Sequence, residues 1–172
     1  MFVRRRHAVA AVLAVALLTT GCGSPASSPT PEPTATAPSP TDSDTAAFAA
    51  AEATYRAYVD ALNAVDLSDP TTFEPVYALT TGDVQEADRR NLSQFNAEGV
   101  AVSGESVIMR VEYNAQSRSL HACLDVSTVA LTAPDGTSLV DAERRDIQSL
   151  KVSFDEAGTR IARIEVEDTA RC

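Results

Sequence analysis

Asp88 is the side chain of this sequence best placed to do chemistry. On a helix opened by Gly82-Asp83 it falls within the arc of Val84, Leu92 and Phe95, away from the charged side that carries Glu86, Arg89 and Arg90. A carboxylate turned toward apolar neighbours holds its proton more tightly than one in water, which suits a general base. The plainer reading makes Asp88 a residue at the edge of the stripe, paired with an arginine such as Arg110, and the pattern favours it. Tyr55, Tyr58 and Tyr113 are candidate pocket residues with phenolic donors, although aromatics at helical or strand spacing more often fill a core.

His121, Cys123 and Asp125 alternate along one strand face. A His and an Asp at its two ends stand about 13 Å apart, and neighbouring side chains of the face run parallel about 7 Å apart. Neither an acid–base pair nor a Cys–His nucleophile forms at those distances, so the segment reads as structural, with a surface histidine. There is no phosphate loop, HExxH, CxxC or calcium loop, and a zinc site lacks ligands. Neither a metal nor a cofactor is expected.

The elements that hold these residues are legible from periodicity. Residues 46–65 read as a helix with Asp44 or Thr45 as N-cap, burying Phe48, Ala51, Tyr55, Tyr58, Val59 and Leu62, with Glu52, Arg56 and Asp60 as a solvated ladder. A helical turn follows through Thr71–Leu79, interrupted by Pro75. A second long helix, with Asp83 as N-cap, runs to Asn96 and ends at Gly99. From Val100 onward the period changes to two. Val107, Met109, Val111 and Tyr113 form one strand face. Leu120, Ala122, Leu124 and Val126 form another, and a parity switch near Thr128 predicts a bulge or bend in that long strand. Asp135-Gly136 predicts a hairpin turn. Two more strands carry Leu150, Val152 and Phe154, then Ala162, Ile164 and Val166. Arg144-Arg145-Asp146 and Arg110/Glu112 read as solvated cross-strand charge pairs. The fold class is α+β, one domain over 46–172.

Ahead of that domain lie Arg4, Arg5 and Arg6, an apolar run from Ala8 to Leu18, and Thr19-Thr20-Gly21-Cys22. An apolar run of eleven residues behind a basic start reads as a signal peptide over 1–21, not as a spanning helix. The ending Leu18-Thr19-Thr20-Gly21-Cys22 resembles a bacterial lipobox. That resemblance implies cleavage before Cys22 and lipidation of its thiol, leaving the mature protein anchored to the cell membrane on its extracytoplasmic face. Two or more acyl chains such as palmitate hold stably, each methylene contributing about 0.8 kcal/mol. Residues 22–45 read as a disordered tether, with six of the nine prolines and little that is apolar beyond Ala.

Without residues 1–21 the chain has eleven basic against 24 acidic side chains, a formal charge of −13. That excess argues against nucleic acid and against charge docking on anionic lipid. High Ala and Arg with the single Lys151 suggest an actinobacterial source. In an exported chain the remaining pair, Cys123 and Cys172, most simply forms one disulfide; two free thiols or a metal pair are the alternatives.

One long amphipathic helix, shorter helices, then long antiparallel strands with a bend form a familiar order. The opening helix with Phe48, Tyr55, Val59 and Leu62 and the closing strands Ile147–Phe154 and Arg160–Val166 resemble the nuclear transport factor two-like (SnoaL-like, cystatin-like) superfamily in its actinobacterial secreted lipoprotein form. The resemblance implies helices closing one side of a curved four-stranded antiparallel sheet to make a cone with an apolar pocket. Enzymes, binders and inert adaptors share that fold. The leading expectation is a non-enzymatic module for a small apolar ligand or an envelope protein. The alternative is a SnoaL-like isomerase or dehydratase with Asp88 as base and a tyrosine as donor. A homodimer through the sheet is neither supported nor excluded.

Overall fold

A computed structural model describes residues 42–167 and Cys172. The signal segment, Cys22 and residues 23–41 of the tether lie outside the described residues.

Asp42 and Asp44 occupy the first turn of α1 (Asp42–Asn63), where carboxylates complement the positive end of the helix dipole. The helix therefore starts earlier than a cap at Asp44 or Thr45 implies, and residues 42–45 belong to it and not to the tether. Ala51, Tyr55, Tyr58 and Val59 are buried on its inner face, with Phe48 and Leu62 packed beside them. Glu52 and Arg56 pair at 2.6 Å on the outside.

A 3-10 turn, Pro70–Phe73, is capped by the Asp69 side chain, which accepts from the Thr71 N–H. It leads into α2 (Glu74–Leu79), where Pro75 stands in the first turn. A missing N–H costs nothing there, so Pro75 opens a helix instead of interrupting one. In α3 (Gly82–Glu98) the N-cap is Thr81 and not Asp83. The Thr81 N–H donates to the Ile161 carbonyl at 2.9 Å and Gly82 turns with φ +58°, so a tertiary tie and a glycine set the start. Gly99, left-handed at φ 68°, caps the end.

Six strands follow: β1 (Ala101–Ser103), β2 (Val107–Asn114), β3 (Ser119–Asp125), β4 (Ala130–Thr132), β5 (Ile147–Phe154) and β6 (Ile161–Val166). An antiparallel sheet has the order β2-β3-β5-β6, and β1 pairs with β4 in a separate ladder. The β2–β3 hairpin thus continues past a break, at residues 104–106 opposite 126–129, into the β1–β4 pair. The bend expected in one long strand divides it into two.

Register places Tyr113, Leu120, Val152 and Ile164 in one row and Val111, Ala122 and Leu150 in the next. These rows pack with the helices in a single core. The expected face of β2 is corrected at its start. The ladder shifts between Ile108 and Arg110, so Ile108 joins the core while Val107 and Met109 are 53% and 59% exposed. One extra residue in a bulge reverses the facing of everything before it. Tyr55, Val76, Leu120, Val152 and Ile161 are almost fully buried, each contributing about 1.5–3 kcal/mol by its removal from water. Side chains fill the interior at this level.

Candidate functional site

Asp88 on α3 faces α1. The Tyr58 hydroxyl donates to Oδ1 at 3.2 Å and lies 3.5 Å from Oδ2. Burial raises the Asp88 pKa, against the hydrogen bonds of Tyr58 and Thr80, which lower it. The Tyr58 phenol is pushed far up, by burial first and then by the Asp88 charge and hydrogen bond. Arg110 does not serve as the expected partner of Asp88. It lies on β2, at the opposite edge of the sheet from β6, with Glu112 at 3.6 Å. The cleft beside Asp88, about 400 Å³ between α3 and β6, is lined by Asp83, Arg163 and Glu165 as well as Ala87 and Ile164. A carboxylate with raised proton affinity stands here, and the Tyr58 phenol donates to that same carboxylate.

The three tyrosines do not converge. Tyr55 is 1% exposed, its hydroxyl has no partner, and burial pushes its pKa up to about 12. Tyr113 stacks on Phe48 with ring centroids 5.8 Å apart and lines a different cleft, with Ala47, Ala50 and Phe154. Only Tyr58 shares a cleft with Asp88.

On the face of the sheet away from the helices, Cys123 of β3 is joined to Cys172 with a Cα–Cα distance of 5.6 Å, inside the range a disulfide spans. His121 is not a surface histidine: it is 8% exposed. Its Nε2 lies 2.9 Å from Ser149 Oγ and 3.3 Å from Glu167 Oε2. Chain beyond β6 brings Glu167 against this face, where its N–H donates to the Ser149 carbonyl at 2.8 Å. Serine, histidine and glutamate meet here without forming a relay, since both partners use Nε2 and Nδ1 has none; a relay needs the acid on the second nitrogen.

The apolar opening of the domain lies elsewhere, beneath the bent hairpin. A partly open cavity of about 250 Å³ is lined by Leu62 of α1 and Val65 just after it, Leu92 and Phe95 of α3, and Val102 and Leu131 of the β1–β4 pair, with Asn63 and Ser106 at its edge. Several ties hold the pair above it. Asn63 Nδ2 donates to the Ser106 carbonyl and the Ser106 N–H donates to Asn63 Oδ1, both at 2.9 Å. The Thr128 hydroxyl donates to the Glu105 carbonyl at 2.9 Å and accepts from the Glu105 N–H at 3.2 Å. Arg144 donates to the carbonyls of Val126 and Val129 at 2.8 and 2.9 Å, so it clamps the bend and is not a cross-strand charge pair. At the far end an added Cβ at Gly99 would just reach the Pro134 ring. The lining residues gave one hint in advance, the parity switch near Thr128; Val65 and Leu131 are otherwise partly buried apolar residues scattered along the chain, and Val102 is an exposed one.

Among the described residues no cluster of His, Cys, Asp and Glu has a metal-binding arrangement, and no helix is long and apolar enough to cross a membrane. These elements define an α+β domain, three helices against one face of a bent antiparallel sheet. No protein-family model and no curated protein matches the chain. A nuclear transport factor two-like protein of unknown function from Exiguobacterium sp. 255-15 is similar over 67% of this chain and 99% of that one, at 12% identity and a TM-score of 0.43. A de novo designed β-sheet protein is similar over 72% of this chain and 88% of that one, at 17% identity and a TM-score of 0.34. Likenesses at these values carry nothing about function.

Proposed function

We propose that this chain is a membrane-anchored extracytoplasmic lipoprotein, lipidated on Cys22, whose nuclear transport factor two-like domain binds a small apolar ligand without catalysing a reaction. The cavity beneath the bent hairpin carries the binding half: its lining is mainly aliphatic and aromatic, with Asn63 and Ser106 as its polar side chains, and small-molecule sites are largely apolar with a few polar groups. The anchoring half rests on the basic, apolar and Cys22 order of the N-terminus. The Cys123–Cys172 bond supports it, because such bonds persist outside the reducing cytoplasm.

Native mass spectrometry of the exported protein tests the binding half. A co-purifying small molecule supports it, and a bare protein mass with no uptake of apolar probes shifts the role to contact with an envelope protein. Cys22→Ala should release the protein from the membrane fraction, and retention of that variant would remove the anchor.

The raised proton affinity of Asp88 beside Tyr58 favours one other reading, an isomerase or dehydratase with Asp88 as base. The commitment of Tyr58 to Asp88 and the charged lining of that cleft weigh against it. Turnover that survives Asp88→Asn would eliminate it.

A further inference from the structure

A second, open groove of about 600 Å³ adjoins the first, and Val65, Leu67 and Val102 line both. Alone, the apolar cavity of about 250 Å³ is smaller than the roughly 300–1,000 Å³ of a pocket for a drug-sized molecule, and joined to its neighbour it falls within that range. The two ends differ in chemistry. Leu92, Phe95 and Leu131 close the apolar end, whereas Asp66, Ser68 and Asn96 line the other.

The polar end offers acceptors. The Asp66 carboxyl is held below its usual range, first by the Ser68 hydroxyl and then by the Ser68 N–H, so it is anionic at neutral pH. Both of those bonds fall on Oδ1. Asn96 directs its Nδ2 donor into the Leu67 carbonyl at 2.7 Å, which leaves its side-chain oxygen as the group able to accept. Basic side chains are missing from the lining of either cavity. A carboxylate or phosphate head would meet Asp66 with no cation to offset it, whereas a head that donates hydrogen bonds meets Asp66 and Asn96 directly.

We infer that the two cavities form one elongated site, beneath Val102, for a single-chain amphiphile: its aliphatic chain lies under β4 against Leu92 and Phe95, and its uncharged, hydroxyl-bearing head lies beside Asp66 and Asn96. This rests on the binding function proposed above and adds the ligand class, the direction of entry and the residue at the junction.

The test uses the exported chain with Cys22→Ser, which removes the need for detergent, and Nile red as an uncharged reporter. Dodecanoylglycerol should displace the dye at about tenfold lower concentration than dodecanoate, and hexanoylglycerol should need more than dodecanoylglycerol. Asp66→Lys, on an exposed loop, should reverse the preference in favour of dodecanoate. Val102→Trp, at the junction, should weaken binding of the long-chain ligand. Dye binding with equal displacement by the two dodecyl compounds, or with no change of preference in Asp66→Lys, overturns the amphiphile site and leaves the apolar pocket standing. No dye binding at all overturns both.

Discussion

Asn63, the last residue of α1, and Ser106, at the break in the long hairpin, close a two-bond ring with each other: side-chain amide to carbonyl, and backbone N–H to side-chain oxygen, both at 2.9 Å. The helix whose middle fills the core thereby also holds the root of the β1–β4 pair. Asn63→Ala leaves the partly buried Ser106 groups without partners, a loss of about 1–3 kcal/mol. Hydrogen exchange should accelerate at residues 101–106 and 126–132 and stay slow at Leu120–Leu124. Uniform acceleration would mean that the ring supports the whole fold and not the bend.

Gly104 carries the tightest approach in the bend. Its φ is +79°, and an added Cβ would collide with the carbonyl of Thr128. Gly104→Ala should therefore cost at least about 1–3 kcal/mol in chemical denaturation, through backbone strain and displacement of Thr128. Gly136, with φ +86° but open space around it, should tolerate alanine better. Equal losses at the two positions would show that conformation alone, and not the approach to Thr128, sets the cost.

Asp88 and the exposed aspartates respond to pH with opposite signs. Burial raises the Asp88 pKa, so the folded state binds its proton more readily than the unfolded chain. The contribution of Asp88 to stability is then largest at low pH and falls as pH rises from the ordinary carboxylate range through the raised value. Asp66, Asp125, Asp135 and Asp155 are lowered by local hydrogen bonds; their contribution is present above the ordinary range and lost as pH falls through the depressed values. Asp88→Asn should gain on the parent protein as pH rises above the carboxylate range, with the difference shrinking in acid. Urea midpoints across pH check this, and parallel curves would mean that Asp88 titrates normally.

The bond between Cys123 and Cys172 spans a sequence separation of 49. Removing it with paired serines should cost about 2–4 kcal/mol and loosen Glu167 from His121 before the core is disturbed. Intact mass of the exported protein checks the bond itself: a deficit of about two hydrogens accompanies it, and two alkylated thiols in the native state would refute it.

Much of the fold was legible because burial imposes a period. The arc from Ala51 to Val59 and the alternation of Leu120, Ala122 and Leu124 each face one core. The bulge at Met109 was not legible, because Val-Ile-Met-Arg-Val-Glu-Tyr supports either parity and only pairing with β3 decides between them. His121 read as a surface residue because its cover, Glu167, lies far along the chain. Arg144 read as one charge among several because carbonyl acceptors leave no mark on side-chain sequence. The sequence favoured an arginine as the partner of Asp88; its partner Tyr58 followed from the crossing of α1 and α3, which periodicity does not report.

The β1–β4 pair is fastened at the bend, where Asn63 of α1 holds Ser106 and Arg144 holds the carbonyls of Val126 and Val129. Those ties resist sagging of the pair into the space below it, so contacts across that space are left for a ligand to make. An occupant supplies those contacts, so the filled form resists opening better than the vacant one. On the anchored binding function proposed above, that difference becomes a matter of lifetime: extracytoplasmic proteases, which cut opened chains, would clear vacant copies first and leave a population enriched in loaded ones.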